Sequence, residues 1–373
     1  MKRKILAILS IIVVALSIFA VASFVAAGFG NAGTVYTIDN AASNNVLYYS
    51  RGWDGSLTLG GSVSTTGSGT GSALASQGAV VLTNNGRYLI VVDAGSNQIS
   101  VFMVQNNGVP VFSSITSSHG TTPISLTTYN NWVYVLDAGG TGNIAGFWLS
   151  NSGTLNYITG STQPLSATSG TSAEQIGFNP DGNVLVVTEK GTNVIDTYLV
   201  NSMGVASAPT THTSVGNGPY GFAFTGDGTL VISEAAGGLG TSGLGIYDGT
   251  LSSYVLSDQG NLRTVSGSMP TFGAAPCWVA IDNHGSFVYT SDAHVGTIST
   301  FSITGTATLT LTSSVEAKLN IPTLDLAFSR NSQFLYALNG GSITGFKVYN
   351  DGSIWQVTSV SSVPASASGL AAT

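Results

Sequence analysis

Residues Glu174–Asn193 read EQIGFNPDGNVLVVTEKGTN, two strand-like runs around a turn. Gln175–Phe178 is a short apolar-rich run, and Val184–Thr188 is dense in β-branched residues, the composition of a buried or half-buried strand. Between them lies Asn179-Pro180-Asp181-Gly182. Proline presets the φ of a turn and glycine takes positive φ without a Cβ penalty, so this tetrapeptide predicts a hairpin.

The hairpin recurs. Comparable inner strands begin near Gly78, Ile124, Gln175, Tyr220, Cys277, Leu324 and Ser368, at intervals of 44 to 57 residues. Second strands follow each of the first six at Leu89–Val92, Val133–Leu136, Leu185–Thr188, Leu230–Ser233, Val288–Ser291 and Leu335–Leu338, and a seventh stands alone near the N-terminus at Val35–Ile38. Third strands such as Ile99–Val104, Ile144–Leu149, Ile298–Ile303 and Ile343–Val348 lead through Asn107-Gly108, Ser152-Gly153 and Asp351-Gly352 turns into a fourth. Four strands in each unit of about 45 residues is the spacing of propeller blades. The chain enters on a second strand and leaves on a first. The expected fold is therefore all-β: a seven-bladed β-propeller, residues 33–373, closed by pairing of the C-terminal strand into the first blade. Closure removes the free edges that an open array exposes.

Composition narrows the function. The 373 residues are 43% hydrophobic and 7% charged, with 48 Gly and a net charge of −7. Residues Met1–Lys4 are basic and Ile5–Gly28 is uncharged, the pattern of an export signal or membrane anchor over residues 1–27, with Ala20-Val21-Ala22 or Val25-Ala26-Ala27 as a cleavage sequence. Without Lys2, Arg3 and Lys4 the remaining chain carries net −10. Such a surface disfavours nucleic acid as a partner, and a membrane is expected only if the N-terminal segment is retained. Cys277 stands alone, so no internal disulfide forms. The chain has no P-loop, G-x-S-x-G, dinucleotide fingerprint or H-E-x-x-H, and its four histidines lack metal-ligand spacing. No cofactor and no metal is expected. The longest unit contains a Gly-rich insert, Ala235–Gly245, read as a surface loop.

The turns FNPDGNVLVVTEK, FTGDGTLVISEA and FSRNSQFLYALN, with third strands SNQISVF, TNVIDTY, VGTISTF and GSITGFKV, resemble the seven-bladed propeller lactonases, the group of 6-phosphogluconolactonase and carboxymuconate cycloisomerase. The resemblance spans the chain after the leader. NAASNNVLYYSR, AEQIGF, VVTEK, APCWVAID and ASGLAA are similar to an exported subgroup. It implies lactone hydrolysis outside the cytoplasm, by His, Arg and Glu side chains around the central channel. Here the inner strands start with Gln77, Pro123, Gln175, Tyr220, Cys277, Thr323 and Ser368, none of them His or Arg. A non-enzymatic surface propeller that binds a glycan-like ligand therefore stays open beside a hydrolase acting on a small lactone.

Candidate residues follow from the channel geometry. Second strands end on Asp39, Asp93, Asp137, Glu189, Glu234, Asp292 and, in the last unit, Asn339. Such a ring could cap the following turns, bind a cation, or raise a carboxyl pKa by like-charge repulsion. Glu caps turns poorly, which singles out Glu189 and Glu234. Glu189 would activate water, with Lys190 stabilising an oxyanion. Gln77, Gln175, Cys277, Trp278 and Asp325 are candidate ligand-binding positions. Cys277 would need a base, for which His294 in the same unit is the candidate, and otherwise is a small buried thiol. Glu174 is expected to face solvent.

Overall fold

The computed structural model describes residues 32–235 and 248–373. The leader and most of the Gly-rich insert lie outside these residues. Every element among them is a strand, and the strands form seven antiparallel sheets. The Glu174–Asn193 hairpin folds as read: Ala173–Phe178 pairs with Val184–Glu189, and Gly182 at the turn has φ of 71°. Val194–Leu199 and Thr210–Thr213 complete that sheet as blade four.

Closure also follows the expectation. Blade one is built from both ends of the chain: Ser368–Ala372 lies inside Gly33–Ile38, with Asn45–Arg51 and Leu57–Ser64 outward. Val35 opposes Ala372, Tyr36 opposes Ala371 and Ile38 opposes Ser368. Thr373 donates from its backbone N–H to Thr34 O at 2.9 Å, and Arg51 donates to Thr373 O at 3.2 Å. The ring thus ends in a four-stranded sheet like its neighbours instead of an open edge.

A repeated tyrosine joins blade to blade. Tyr36, Tyr134, Tyr289 and Tyr336 are each fully buried on a second strand. Each hydroxyl donates to a turn glycine of the next blade: Gly108 at 2.7 Å, Gly204 at 2.6 Å, Gly352 at 2.8 Å and Gly55 at 3.0 Å. The last of these runs from blade seven to blade one, so the seam carries the same latch as three other joints. The ring bodies fill the space between sheets while the polar tip finds a carbonyl, the arrangement a buried tyrosine needs.

The inner strands surround a central channel that side chains block part-way. Gln77, on the segment leading into blade two, reaches across to blade six: its Nε2 donates to Val279 O at 2.8 Å and its Oε1 accepts from Val279 N at 3.0 Å. Trp278 Nε1 returns the crossing, donating to Ser76 O at 3.0 Å. Gln175 bridges blades four and five in the same way, through both backbone groups of Phe222. These amides leave a separate recess at each end of the channel.

Candidate active site

A backbone irregularity shapes the end of the channel where inner strands begin. Register shifts fall between Pro123 and Ser125, Ala173 and Gln175, Pro219 and Phe222, Pro276 and Trp278, and Thr323 and Asp325. A bulge inserts an extra residue and re-aims its side chain. The residues so placed are Ile124, Glu174, Tyr220, Cys277 and Leu324. Tyr220, Cys277 and Leu324 line a cavity of about 450 Å³ at this mouth, a volume in the range of small-molecule sites.

Glu174 belongs to that series, which corrects its expected exposure to solvent: only 6% of its surface is accessible. Its carboxyl group hydrogen-bonds with Tyr220 and lies in the field of Lys190. Burial pushes its pKa up to about 8, against the lowering effects of the Lys190 charge and the Tyr220 hydrogen bond. Lys190 lines the cavity, its Nζ 5.1 Å from the Tyr220 ring centroid. Tyr220 in turn meets Trp278 edge-on at 5.5 Å, making an aromatic wall. Cys277 and His294 share the cavity, as their membership in one blade suggested. The Cys277 thiol is buried, and desolvation raises its pKa well above the usual thiol range. It is therefore held as the thiol, a weak nucleophile.

The structure brings together Lys190, Cys277 and Trp278 of the predicted residues and separates the others from this cavity. Glu189 and Glu234 are 0% and 1% exposed and point into their own blades. Glu234 accepts from Gly216 N at 2.9 Å, Ser252 Oγ at 2.5 Å and Thr250 Oγ1. Glu189 accepts from Thr192 Oγ1 at 2.7 Å and meets the carboxyl of Asp196. Asp93 and Asp292 follow the same plan, accepting from Ser100 and Ser299 on their third strands, and Asn339 reverses it, donating to Thr344 Oγ1. The ring of second-strand ends is thus a set of separate hubs, several of which also accept from outside the blade's own strands, as Asp93 does from Asn44 and Thr65 and Asp292 from Thr271; Asp39 caps its turn, accepting from Ala41 N and Asn45 N. Among the described residues no three His, Cys, Asp or Glu side chains converge on a point where an ion would sit.

Gln77 and Gln175 spend both ends of their amides on backbone groups, as described for the channel. Asp325 is 2% exposed, toward the opposite recess. It accepts from Leu326 N at 2.8 Å and Leu370 N at 2.9 Å, so this carboxylate fastens the closing strand. Burial outweighs these two bonds and raises its pKa well above the ordinary value.

A sequence signal for Glu174 existed. Placing the residue before each bulge in register (AEQ, PYG, PCW, TLD) puts Glu174 in the column of Tyr220, Cys277 and Leu324. Starting blade four at Gln175 shifts that blade by one residue and exchanges the mouth position for the layer beneath it.

A family model described as "Lactonase, 7-bladed beta-propeller" matches residues 29–156 and 241–325. The chain belongs to this lactonase family. Among solved structures, this lactonase-family propeller is similar to a candidate 6-phosphogluconolactonase from Bacteroides uniformis, with TM-score 0.71 and 15% identity over 91% of this chain and 99% of that one. It is also similar to the periplasmic gluconolactonase of Pseudomonas aeruginosa, with TM-score 0.69 and 16% identity over 91% and 98%. A hypothetical selenium-binding protein from Sulfolobus tokodaii aligns at TM-score 0.67 and 12% identity over 91% and 92%. A search of curated protein sequences gives no match. At these identities the likeness establishes a shared ring, and one ring hosts unrelated chemistries.

Proposed function

We propose that this propeller hydrolyses a lactone at the channel mouth, with Glu174 as general base. The observation that carries the reading is a buried carboxyl group of raised pKa that acts on a lysine and a tyrosine lining a concave cavity, in a chain of the lactonase family. The ionised Glu174 takes a proton from water as the water oxygen bonds to the lactone carbonyl carbon. The developing oxyanion is stabilised by the Lys190 ammonium, while the Tyr220 hydroxyl donates to Glu174 and holds the carboxylate in place. On collapse the ring C–O bond breaks, and the departing oxygen recovers the proton from Glu174, giving a hydroxy acid. The sequence pairs Glu189 with Lys190; in this reading Lys190 keeps that role, supported by its place in the cavity wall, and Glu174 takes the part of the base.

The basic start and the uncharged Ile5–Gly28 run support action outside the cytoplasm. Mass spectrometry of the protein from its native host tests this: a mature N-terminus near residue 23 or 28 supports export, and an intact soluble cytoplasmic chain refutes it.

Hydrolysis is tested with a panel of sugar and alkyl lactones. The expected result is turnover whose kcat/KM rises with pH through about 8, the Glu174 value. A pH-independent rate, or equal rates for wild type and Glu174→Gln, refutes the assignment. The absence of His or Arg from the inner-strand starts favours a second reading, a propeller that binds without turnover. Saturable binding with no hydrolysis across the panel would select it.

A further inference from the structure

The residue that follows each second-strand hub reports on the substrate. Around the ring these are Asn40, Ala94, Ala138, Lys190, Ala235, Ala293 and Gly340. Six are small and uncharged, and one, in blade four, is a cation. Lys190 is the only Lys or Arg lining the cavity among the described residues. Its ammonium is engaged by the Tyr220 ring and lies near the Glu174 carboxyl.

From blade five onward the wall is mostly apolar: Ala235, Ala275, Ala293, Trp278 and Leu324, with Leu74 from the segment between blades one and two, and with His294 and Thr323 as its polar side chains. Ala235, Ala275, Trp278 and Leu324 each retain 7% exposure or less. A phosphate dianion in this cavity would need several convergent N–H donors or a planar guanidinium. It would meet one committed lysine with the Glu174 carboxyl close to it, and the His294 ring, instead. Small side chains around the mouth leave room for a ligand's hydrocarbon.

We infer that the substrate is a neutral lactone bearing an alkyl substituent, bound with its carbonyl at Lys190 and Glu174 and its chain along blades five to seven. The inference rests on the hydrolase reading above and adds the substrate class and orientation. The same mostly apolar wall disfavours phosphorylated sugar lactones.

The test has two arms. In the first, kcat/KM is measured for δ-lactones carrying methyl to hexyl substituents, beside glucono-δ-lactone and its 6-phosphate. The expected gain is about fourfold per added methylene until the cavity fills, the ratio corresponding to ~0.8 kcal/mol per buried CH₂. The Ala293→Leu variant, which occupies part of the wall, is expected to lower the hexyl-to-methyl ratio at least tenfold; a ratio equal to wild type in a variant of unchanged melting temperature overturns the orientation. Preference for the 6-phosphate, or no dependence on chain length, overturns the substrate class while leaving the hydrolase reading intact. The second arm measures calorimetric binding of the corresponding alkyl lactams, which are not turned over. If no lactone is hydrolysed, the hydrolase reading fails, and lactam affinity alone decides the ligand class. Affinity rising with chain length supports it, and no binding refutes it.

Discussion

Glu174 and Glu189 sit at the same end of one hairpin, yet their environments differ in kind. Glu174 occupies a bulge, is buried, and has Lys190 and Tyr220 for neighbours. Glu189 ends the pairing strand, faces the interior of blade four, and has hydroxyl groups and the Asp196 carboxyl for neighbours. Burial raises the pKa of both. What separates them is the company each keeps. Glu174 acts on Lys190 and Tyr220, two residues that line the cavity. Glu189 faces the Asp196 carboxyl, whose Oδ1 has no hydrogen-bond partner among the described residues. A perturbed carboxyl is therefore a site marker only when it is coupled to groups that line a cavity.

The other hubs show how blade four came to hold an acid pair. In blades two, five and six the third-strand residue facing the hub is Ser100, Ser252 or Ser299, each a hydroxyl donor. Blade four has Asp196 there, a second acid that must share a proton to bond. Blade three has Ala145 at the matching register, and Asp137 Oδ2 is left without a partner among the described residues. The same position thus ranges from satisfied, through proton-sharing, to orphaned.

Substitutions at the two glutamates sharpen the contrast most. Glu174→Gln is expected to lower kcat/KM for a lactone by about 10² to 10⁴-fold with little change in melting temperature. Glu189→Gln keeps a donor toward Asp196 and should leave kcat/KM within about twofold of wild type. If the two variants lose activity alike, the separation drawn here fails. Next in size is Glu189→Ala, which strands Asp196 in the blade and is expected to cost about 3 kcal/mol in chemical denaturation. A loss no greater than that of Glu189→Gln would show that the acid pair contributes nothing to stability.

A smaller effect is expected in blade three. Ala145→Ser offers Asp137 Oδ2 the hydroxyl that other hubs have, and should raise stability by about 1 kcal/mol. A decrease would show that blade three has no room for the donor.

The broadest and shallowest expectation is the pH dependence of stability. Burial raises Asp137 to about 7 and Asp292 to about 6 in the folded chain, with Glu174 at about 8. Unfolding returns these groups to ordinary carboxylate values near 4. Between about pH 4 and 8 the folded state therefore holds more protons, so stability falls as pH rises across that window. Melting temperature should be higher at pH 5 than at pH 8, and the reverse would show that other groups dominate the linkage.

Much of this molecule is a local matter of alternation and turn chemistry. Period-two runs of Val, Ile and Leu around Asn-Pro-Asp-Gly and Asn-Gly turns specify each sheet. Their recurrence through Leu335–Leu338, with a lone inner strand at the C-terminus, specifies the number of blades and their closure. Lys190, Cys277 and Trp278 were also legible, because they lie at strand ends that any propeller directs to its channel. Only the folded ring decided which acid is coupled to the residues lining the cavity. A bulge shifts side-chain direction by one residue, and period-two reasoning carries no signal for it unless neighbouring blades are placed in register. Nor could spacing show that Gln77 spans the channel to Val279, or that Asp325 holds the closing strand, since those partners lie 202 and 45 residues away. Strand order is written in near neighbours; the destination of a buried polar group depends on whichever distant backbone the ring brings to it.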